Sequence, residues 1–303
     1  MRLSFVWWNT SLSPAGKDRA TDEQRQFVCS MVDFILNKVQ VDFLALGEIT
    51  EKDVEAIIQN CKLSGIDLEF DFSKVGRTKF DTCFLYRREK LFLVEGGSRL
   101  ITSPKGNRIF KIAQQVDFII PNCDKPLHVF ISHWPSWSQC NENSADRHSL
   151  GKSLRNAVED AGSESGILAN AILLGDYNDE PFHASLAEQL MATRDRAFAK
   201  RKPYLFYNPF WRHLGYSKLS SPENLDEGSG GSYYYKNGEI TRWRTFDQII
   251  FSSAFLGNIN WHLNEEMTGI LDFEEYRVKM MDNKEIFDHF PVIGVIDEVK
   301  KNG

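Results

Sequence analysis

The run Ala171-Ile172-Leu173-Leu174-Gly175, followed by Asp176-Tyr177-Asn178-Asp179, constrains this chain more than any other stretch. An apolar run without alternation suits a strand buried on both faces, the kind found inside layered α/β sheets. Asp176 and Asn178, two residues apart, are then delivered to its exposed C-terminal end. There an acid can hold or orient a water, and an amide can place an oxygen without adding charge. Strands also end in Gly-Asp for the sake of a turn alone, so the stretch gains meaning only from its neighbours.

Those neighbours repeat the design. Leu3-Ser4-Phe5-Val6-Trp7-Trp8 reads as a strand closing at Asn9 and opening into a Ser/Pro/Gly loop. Thr21 to Gln24 forms a capping box, and behind it Phe27, Val28, Met31, Ile35 and Val39 recur at helical spacing. Val41 to Leu46 is a strand ending at Gly47-Glu48. Thr50 with Asp53 then caps a second helix that turns Val54, Ile57 and Ile58 inward. Strand, helix, strand, helix argues for α/β layering.

Further on, Cys83 to Arg87 and Leu91 to Val94 flank a polar turn and read as a hairpin. Arg108 to Ile119 is a strand, and Leu127 to Ile131 is another that ends in Ser132-His133. Leu150, Leu154 and Val158 mark a helix over Ala145 to Asp160, and Phe182 to Met191 reads as a further helix. Lys200-Arg201-Lys202, an aromatic segment (Tyr204, Phe206, Tyr207, Phe210, Trp211) and a Gly-Ser loop from Glu227 to Ser232 follow. Strand signals return at Phe246 to Phe251 and Phe290 to Ile296. No internal repeat or clean linker divides the chain. One domain over 1–303 is expected, with a basic-aromatic insertion around 195–244.

Composition bounds the partners. The formal charge of −6 gives no general basic coat, so a polyanionic substrate requires a local cationic patch. Five cysteines without a CxxC pair disfavour a disulfide framework and a zinc knuckle. The N-terminus reads as a first strand and not as a signal peptide, which points to the cytoplasm, and no apolar run reaches membrane-spanning length.

One regularity links the motifs. Asn9, Glu48, His133, and Asp176 with Asn178 stand at the ends of apolar strands, whereas Asp247 and Asp288-His289 stand where the last strands begin. Antiparallel neighbours in a mixed sheet would bring such beginnings and ends to one rim. Glu48, Asp176, Asp247 and Asp288 clustered there would repel one another unless a cation intervened. Oxygen donors favour a hard ion, Mg²⁺ or Mn²⁺, over zinc.

The ordered set Trp8-Asn9, Leu46-Gly47-Glu48, Ser132-His133-Trp134-Pro135, Gly175-Asp176-Tyr177-Asn178, Phe246-Asp247-Gln248-Ile249 and Asp288-His289-Phe290-Pro291 resembles the endonuclease/exonuclease/phosphatase superfamily of DNase I-like proteins. The resemblance spans nearly the whole chain. It implies a four-layer α/β sandwich: two mixed sheets packed face to face, flanked by helices. It also implies phosphoester hydrolysis dependent on a divalent metal. Carried over residue by residue, Glu48 resembles the principal metal ligand, with Asn9 and Asp288 close to the ion. Asp176 would orient or deprotonate water, and Asn178 would hold a non-bridging oxygen. His289, paired with Asp247, would bind the phosphate, and His133 could serve the leaving oxygen. Arg108 is a weaker match to a phosphate-binding arginine.

Departures accompany the resemblance. Gly47 stands where members usually carry glutamine, Tyr177 where many have phenylalanine, and Phe287 where many have serine. Inositol-phosphate phosphatases usually place arginines where this chain has Asp179-Glu180 and Gln248, which counts against that branch.

His128 alternates with apolar neighbours as a sheet-face residue, and His148, His183, His213 and His262 read as surface or structural. Arg242, Arg244 and Trp211 belong to the basic-aromatic segment. Its rings and cations suit base stacking and phosphate contact. They equally suit packing of the insertion onto the sandwich with the cations solvated. Tyr-Asn-Pro-Phe-Trp-Arg with the later tyrosine run resembles a segment of a bacterial branch that carries no assigned substrate. The expected activity is a metal-dependent phosphodiesterase, foremost a nuclease for DNA or RNA. Rival readings are a hydrolase of a small ester (nucleotide, phosphoinositide or sphingolipid head group) and an inactive binding module of the same fold.

Overall fold

The computed structural model describes residues 1–14, 17–76, 78–121, 123, 125–163, 169–218 and 228–299. Ala15 and Gly16 of the first expected loop, and Glu227 of the Gly-Ser loop, lie outside the described residues. In chain order, Arg2–Asn9 (β1), Asp22–Asn37 (α1), Phe43–Gly47 (β2), Glu51–Asn60 (α2) and Ile66–Phe70 (β3) come first. The ribbon Lys74–Val75 (β4) and Thr78–Lys79 (β5) precedes Cys83–Arg87 (β6), Phe92–Lys105 (β7), Arg108–Ile119 (β8) and Leu127–His133 (β9). Ala145–Ser163 (α3), Asn170–Asp176 (β10), Ala192–Thr193 (β11), Arg196–Arg201 (α4) and Phe206–Tyr207 (β12) follow. Last come Tyr233–Tyr234 (β13), Trp243–Arg244 (β14), Asp247–Ser252 (β15), Trp261–Leu263 (β16), Gly269–Ile270 (β17), Glu274–Met281 (α5) and Val292–Glu298 (β18).

Two mixed sheets form, in the strand orders β16-β18-β1-β2-β6-β3, with β17 on β18, and β11-β12-β15-β10-β9-β8-β7. Strand alternation explains how they stack. Leu3, Phe5 and Trp7 of β1 meet Ile172 and Leu174 of β10 and Ile249 and Phe251 of β15 in a core between the sheets. The intervening Val6 and Trp8 face the other way, onto Val28, Val32 and Ile35 of α1 and Tyr276 of α5. Ala171 and Leu173 pack on Leu150 and Leu154 of α3. Helix, sheet, sheet, helix: the sandwich expected from the sequence is the fold. Each fully buried Phe, Leu or Ile adds roughly 1.5–3 kcal/mol through removal from water.

The loop after β1 is pinned where it matters. Thr10 N–H donates to Gly47 O at 3.1 Å and Ser13 N–H to Glu48 O at 2.7 Å. Buried Asp53 accepts from Ser13 Oγ at 2.9 Å and from Arg25 Nε at 2.7 Å, which ties that loop to α1 and α2.

Three local expectations fail. Strands β6 and β7 do not form a hairpin, because β6 lies between β2 and β3 while β7 pairs with β8 in the other sheet. Ile58 faces solvent, since α2 buries only a stripe through Asp53, Val54 and Ile57, and Val39 is likewise exposed beyond the end of α1. Between Phe182 and Met191 there is a single π turn, Ser185–Gln189, with Phe182 exposed. The basic-aromatic stretch contributes β12 to the second sheet, paired with β15. Among the described residues no helix is long and apolar enough to cross a membrane.

Candidate active site

Strand register assembles one rim. On the second sheet Asp176 lies opposite His133 of parallel β9 and opposite Asp247 of antiparallel β15, so three polar side chains share a rung. On the first sheet Asn9 lies opposite Gly47, next to Glu48. Because β18 runs antiparallel to β1, with Trp7 opposite Val292, Asp288 and His289 return beside the end of β1. Glu48 (φ 53°) and Asn178 (φ 50°) adopt left-handed backbone, which non-glycine residues rarely do outside constrained sites.

The side chains form a continuous file. His133 Nε2 is 3.9 Å from Glu48 Oε1 and 3.9 Å from Asp176 Oδ2. His289 Nε2 is 3.8 Å from the same Asp176 oxygen and 3.9 Å from Asp288 Oδ1. Each imidazole is oriented from behind: His133 Nδ1 lies 3.0 Å from Asp81 Oδ2, and His289 Nδ1 2.7 Å from Asp247 Oδ2. Burial disfavours charge on both rings, but the paired aspartates outweigh it. His133 is raised above the ordinary histidine range and His289 is raised well above it. Lys111 Nζ, 2.6 Å from Asp81, joins this buried network. Burial pushes Asp81 up, yet the His133 and Lys111 charges hold it well below the usual carboxylate range.

Asp176 sits between the imidazoles. Its Oδ1 accepts from Asn178 N–H at 2.8 Å and its Oδ2 from Asn9 Nδ2 at 3.2 Å. Burial and the Asp247 charge raise its pKa against the pull of both imidazoles, and a carboxylate of raised pKa is a stronger proton acceptor. Asn178 spends one amide hydrogen on Trp134 O at 2.9 Å, leaving its second for another oxygen.

Asp176, Asp247 and His289 bring one ligand atom each within 4.8 Å of one another. Both Asp247 oxygens are already engaged, however, by Trp7 Nε1 at 2.8 Å and by His289. Asp288 keeps one carboxylate oxygen beyond the bond it accepts from Ser11 Oγ at 2.6 Å, so Glu48 and Asp288 could hold a hard cation, while the Asn9 amide oxygen already accepts from Ser11 N–H at 3.1 Å. Burial and the charges of Asp288 and Asp81 push Glu48 up to about 7 against the pull of His133 and His289. Glu48 and Asp288 repel one another, and a divalent ion held by both would relieve that repulsion.

Gly47, the departure noted in the sequence, has a structural cause. A Cβ there would stand 2.5 Å from Trp7 Cη2, because the indole fills the space beside the rim on its way to Asp247. Asp179 and Gln248 are likewise committed to framework contacts, with Trp137 Nε1 at 3.2 Å and Asn208 Nδ2 at 2.7 Å.

Sequence reasoning missed Asp81, Lys111 and Trp7, and it singled out Tyr233 only as part of the tyrosine run of the basic-aromatic segment. Asp81 carried a usable signal: it precedes β6, which runs antiparallel to β2, so the rule that placed Asp288 places it too. The expected substrate residues divide. Arg108 lines the cleft over the rim, ion-paired with Asp146 at 3.1 Å. Trp211, Arg242 and Arg244 are not among the lining residues. Trp211 packs against Arg194 and Phe182, Arg242 donates to Tyr234 Oη, and Arg244 lies over Trp137. The cleft, about 990 Å³, carries Glu48, His133, Asp176 and His289 together with Lys74, Lys79 and Lys111.

A sequence profile of the endonuclease/exonuclease/phosphatase family matches residues 13–285, and the chain belongs to that family. Its fold is shared with a family protein from Bacteroides thetaiotaomicron (TM-score 0.62, 14% identity, 98% of this chain and 95% of the other). It is shared with D. rerio TDP2 complexed with a single-strand DNA product (TM-score 0.57, 16% identity, 98% and 99%). A mannosyl-6-phosphatase from Bacteroides thetaiotaomicron is similar at TM-score 0.58 and 14% identity, over 98% and 100%. No match to a curated protein was found. Members of the superfamily are generally dependent on a divalent metal.

Proposed function

We propose that the protein is a magnesium- or manganese-dependent phosphodiesterase that cleaves a nucleic-acid strand. The observation that carries this reading is the cleft: Glu48, His133, Asp176, Asp288 and His289 line it together with a cationic flank, Arg108 and Lys111 of β8 and Lys74 and Lys79 of the β4–β5 ribbon. An enzyme that is acidic overall gains a local attraction for a polyanion from such a flank. At about 990 Å³ the cleft is at the upper end for small-ligand sites. The arginine positions of inositol-phosphate phosphatases are occupied here by buried acids and an amide fixed in the framework.

Glu48, Asp288 and Asn9 would hold the cation. When bound, it would offset negative charge on the phosphate as the pentavalent transition state forms. The chain's own groups do the rest. Asp176, steadied by Asn9 and Asn178, orients a water for in-line attack and takes its proton. His289, kept protonated by Asp247 and Asp176, donates to a non-bridging oxygen, and the free amide hydrogen of Asn178 serves another. His133, whose Nδ1 is held by Asp81 and whose pKa that carboxylate raises, lies on the far side of Asp176 and delivers a proton to the leaving oxygen.

The test is a substrate panel. With Mg²⁺, the protein is expected to cleave plasmid DNA, single-stranded DNA or RNA, and bis(4-nitrophenyl) phosphate. EDTA should abolish the activity, and Glu48→Gln should lower it by at least about 10²-fold. Hydrolysis of 4-nitrophenyl phosphate alone, with no strand scission, contradicts the nuclease reading.

A further inference from the structure

The ribbon β13–β14 has two unlike faces. Tyr234 and Trp243 turn inward, their rings 4.8 Å apart, and Trp243 stacks on Phe290 at 6.0 Å. Tyr233 and Tyr235, two residues apart on β13 and its extension, lie on the opposite face with Arg244, the register partner of Tyr233. Tyr233 bridges to His289 through the backbone, its ring lies 4.6 Å from the imidazole, and it lines the cleft.

The rings on that face form a file. Phe246 stacks on Tyr233 at 5.2 Å with 16° between planes, and Tyr233 stacks on Tyr235 at 6.5 Å with 19°. The inner end is sealed: Phe246 is 4% exposed and meets Trp137 at 5.3 Å, with Arg244 over Trp137 at 4.6 Å. At the outer end Tyr235 is 42% exposed. Its backbone is fixed on both sides, since its N–H donates to Arg242 O at 2.7 Å and its carbonyl accepts from Gly238 N–H at 3.0 Å. Near-parallel rings backed by a buried third and ending in an exposed ring on rigid backbone give a preordered π surface.

We propose that the outer face of Tyr235, backed by Tyr233 and Phe246, seats the nucleobase adjoining the scissile phosphate. This rests on the nucleic-acid reading above and adds a direction to it. Across the second sheet the order β15-β10-β9-β8 places Asp247 first, then Asp176, His133 and finally Arg108. The ring file adjoins His289 at the Asp247 end, and the cationic flank lies at the other. A strand therefore runs from cations, across Asp176, to the tyrosine. Stacking of this kind accepts any base, because every base presents a π face.

The test uses the full chain in EDTA and fluorescence anisotropy with a labelled single-stranded oligonucleotide. A second oligonucleotide of the same length carries abasic residues throughout. The wild type is expected to bind the base-bearing strand about tenfold more tightly than the abasic one. Tyr235→Ala should remove most of that difference, and Tyr235→Phe should keep it, since the ring and not the hydroxyl makes the contact. Equal binding of both strands by the wild type, or an unchanged preference in Tyr235→Ala, overturns the inference and leaves the nuclease reading intact. Failure to bind either strand, with bis(4-nitrophenyl) phosphate still hydrolysed, overturns both.

Discussion

Replacing Asp176 by asparagine is expected to lower phosphodiester hydrolysis by about 10³- to 10⁴-fold while leaving the protein folded. Asp176 Oδ2 lies within 4 Å of both imidazole Nε2 atoms, and Asp176 is held from two sides by Asn9 and Asn178. Asparagine keeps the shape but cannot take a proton, and it can accept only one of those two donated hydrogen bonds. The lost bond costs about 1–3 kcal/mol. Against that, burial already raises the pKa of Asp176, so its ionised form is itself a burden on the fold. The two effects oppose, and the melting temperature should move by only a few degrees. A variant that retains activity within tenfold of wild type is incompatible with Asp176 as the group that activates water.

Gly175→Ala should act on the fold instead. A Cβ at position 175 would lie 1.9 Å from Ser132 O and 2.7 Å from Ser132 C, backbone atoms of the neighbouring strand at the same register position. No side-chain rotation relieves a collision with backbone. Strands β9 and β10 must separate where His133 and Asp176 face each other, so stability and site geometry fail together. A loss of about 3 kcal/mol or more is expected in equilibrium urea unfolding, with activity falling alongside. An unfolding free energy within about 0.5 kcal/mol of wild type would show that the strands can part more easily than this packing allows.

The two variants probe a rim that was largely legible in the sequence. Asn9, Glu48, His133 and Asp176 end apolar runs, and Asp247 and Asp288-His289 begin them. Once parallel and antiparallel neighbours are allowed, period and polarity suffice to bring such residues together. Asp81 obeys the same rule, but reading β6 as half of a hairpin hides it. That reading failed for a physical reason: a short polar turn looks alike whether the strands on either side pair with each other or join different sheets. The long strand β7 was hidden by Gly96, Gly97 and Pro104, where a register shift between Leu93 and Ser98 breaks the alternation. Residue type singles out Trp211, Arg242 and Arg244, and for the two arginines so does their place just before Asp247, but neither says where a side chain points. The ring that reaches the cleft is Tyr233, and only the pairing of β13 with β14 reveals which tyrosines share its face.

Gly47 illustrates a different limit. The sequence shows that glutamine is missing there but not that the Trp7 indole, which donates to Asp247, fills the space its side chain would need. A steric relation of this kind acts between residues far apart in the chain and becomes visible only in three dimensions.

The most direct measurement is titration of the metal-free protein with Mn²⁺, followed by electron paramagnetic resonance of the free ion, for wild type, Glu48→Gln and Asp288→Asn. One Mn²⁺ should bind to the wild type and be displaced by Mg²⁺, and each substitution should weaken it by roughly 10- to 100-fold. Identical binding curves for all three proteins would mean that these carboxylates do not hold the ion on which the proposed hydrolysis depends.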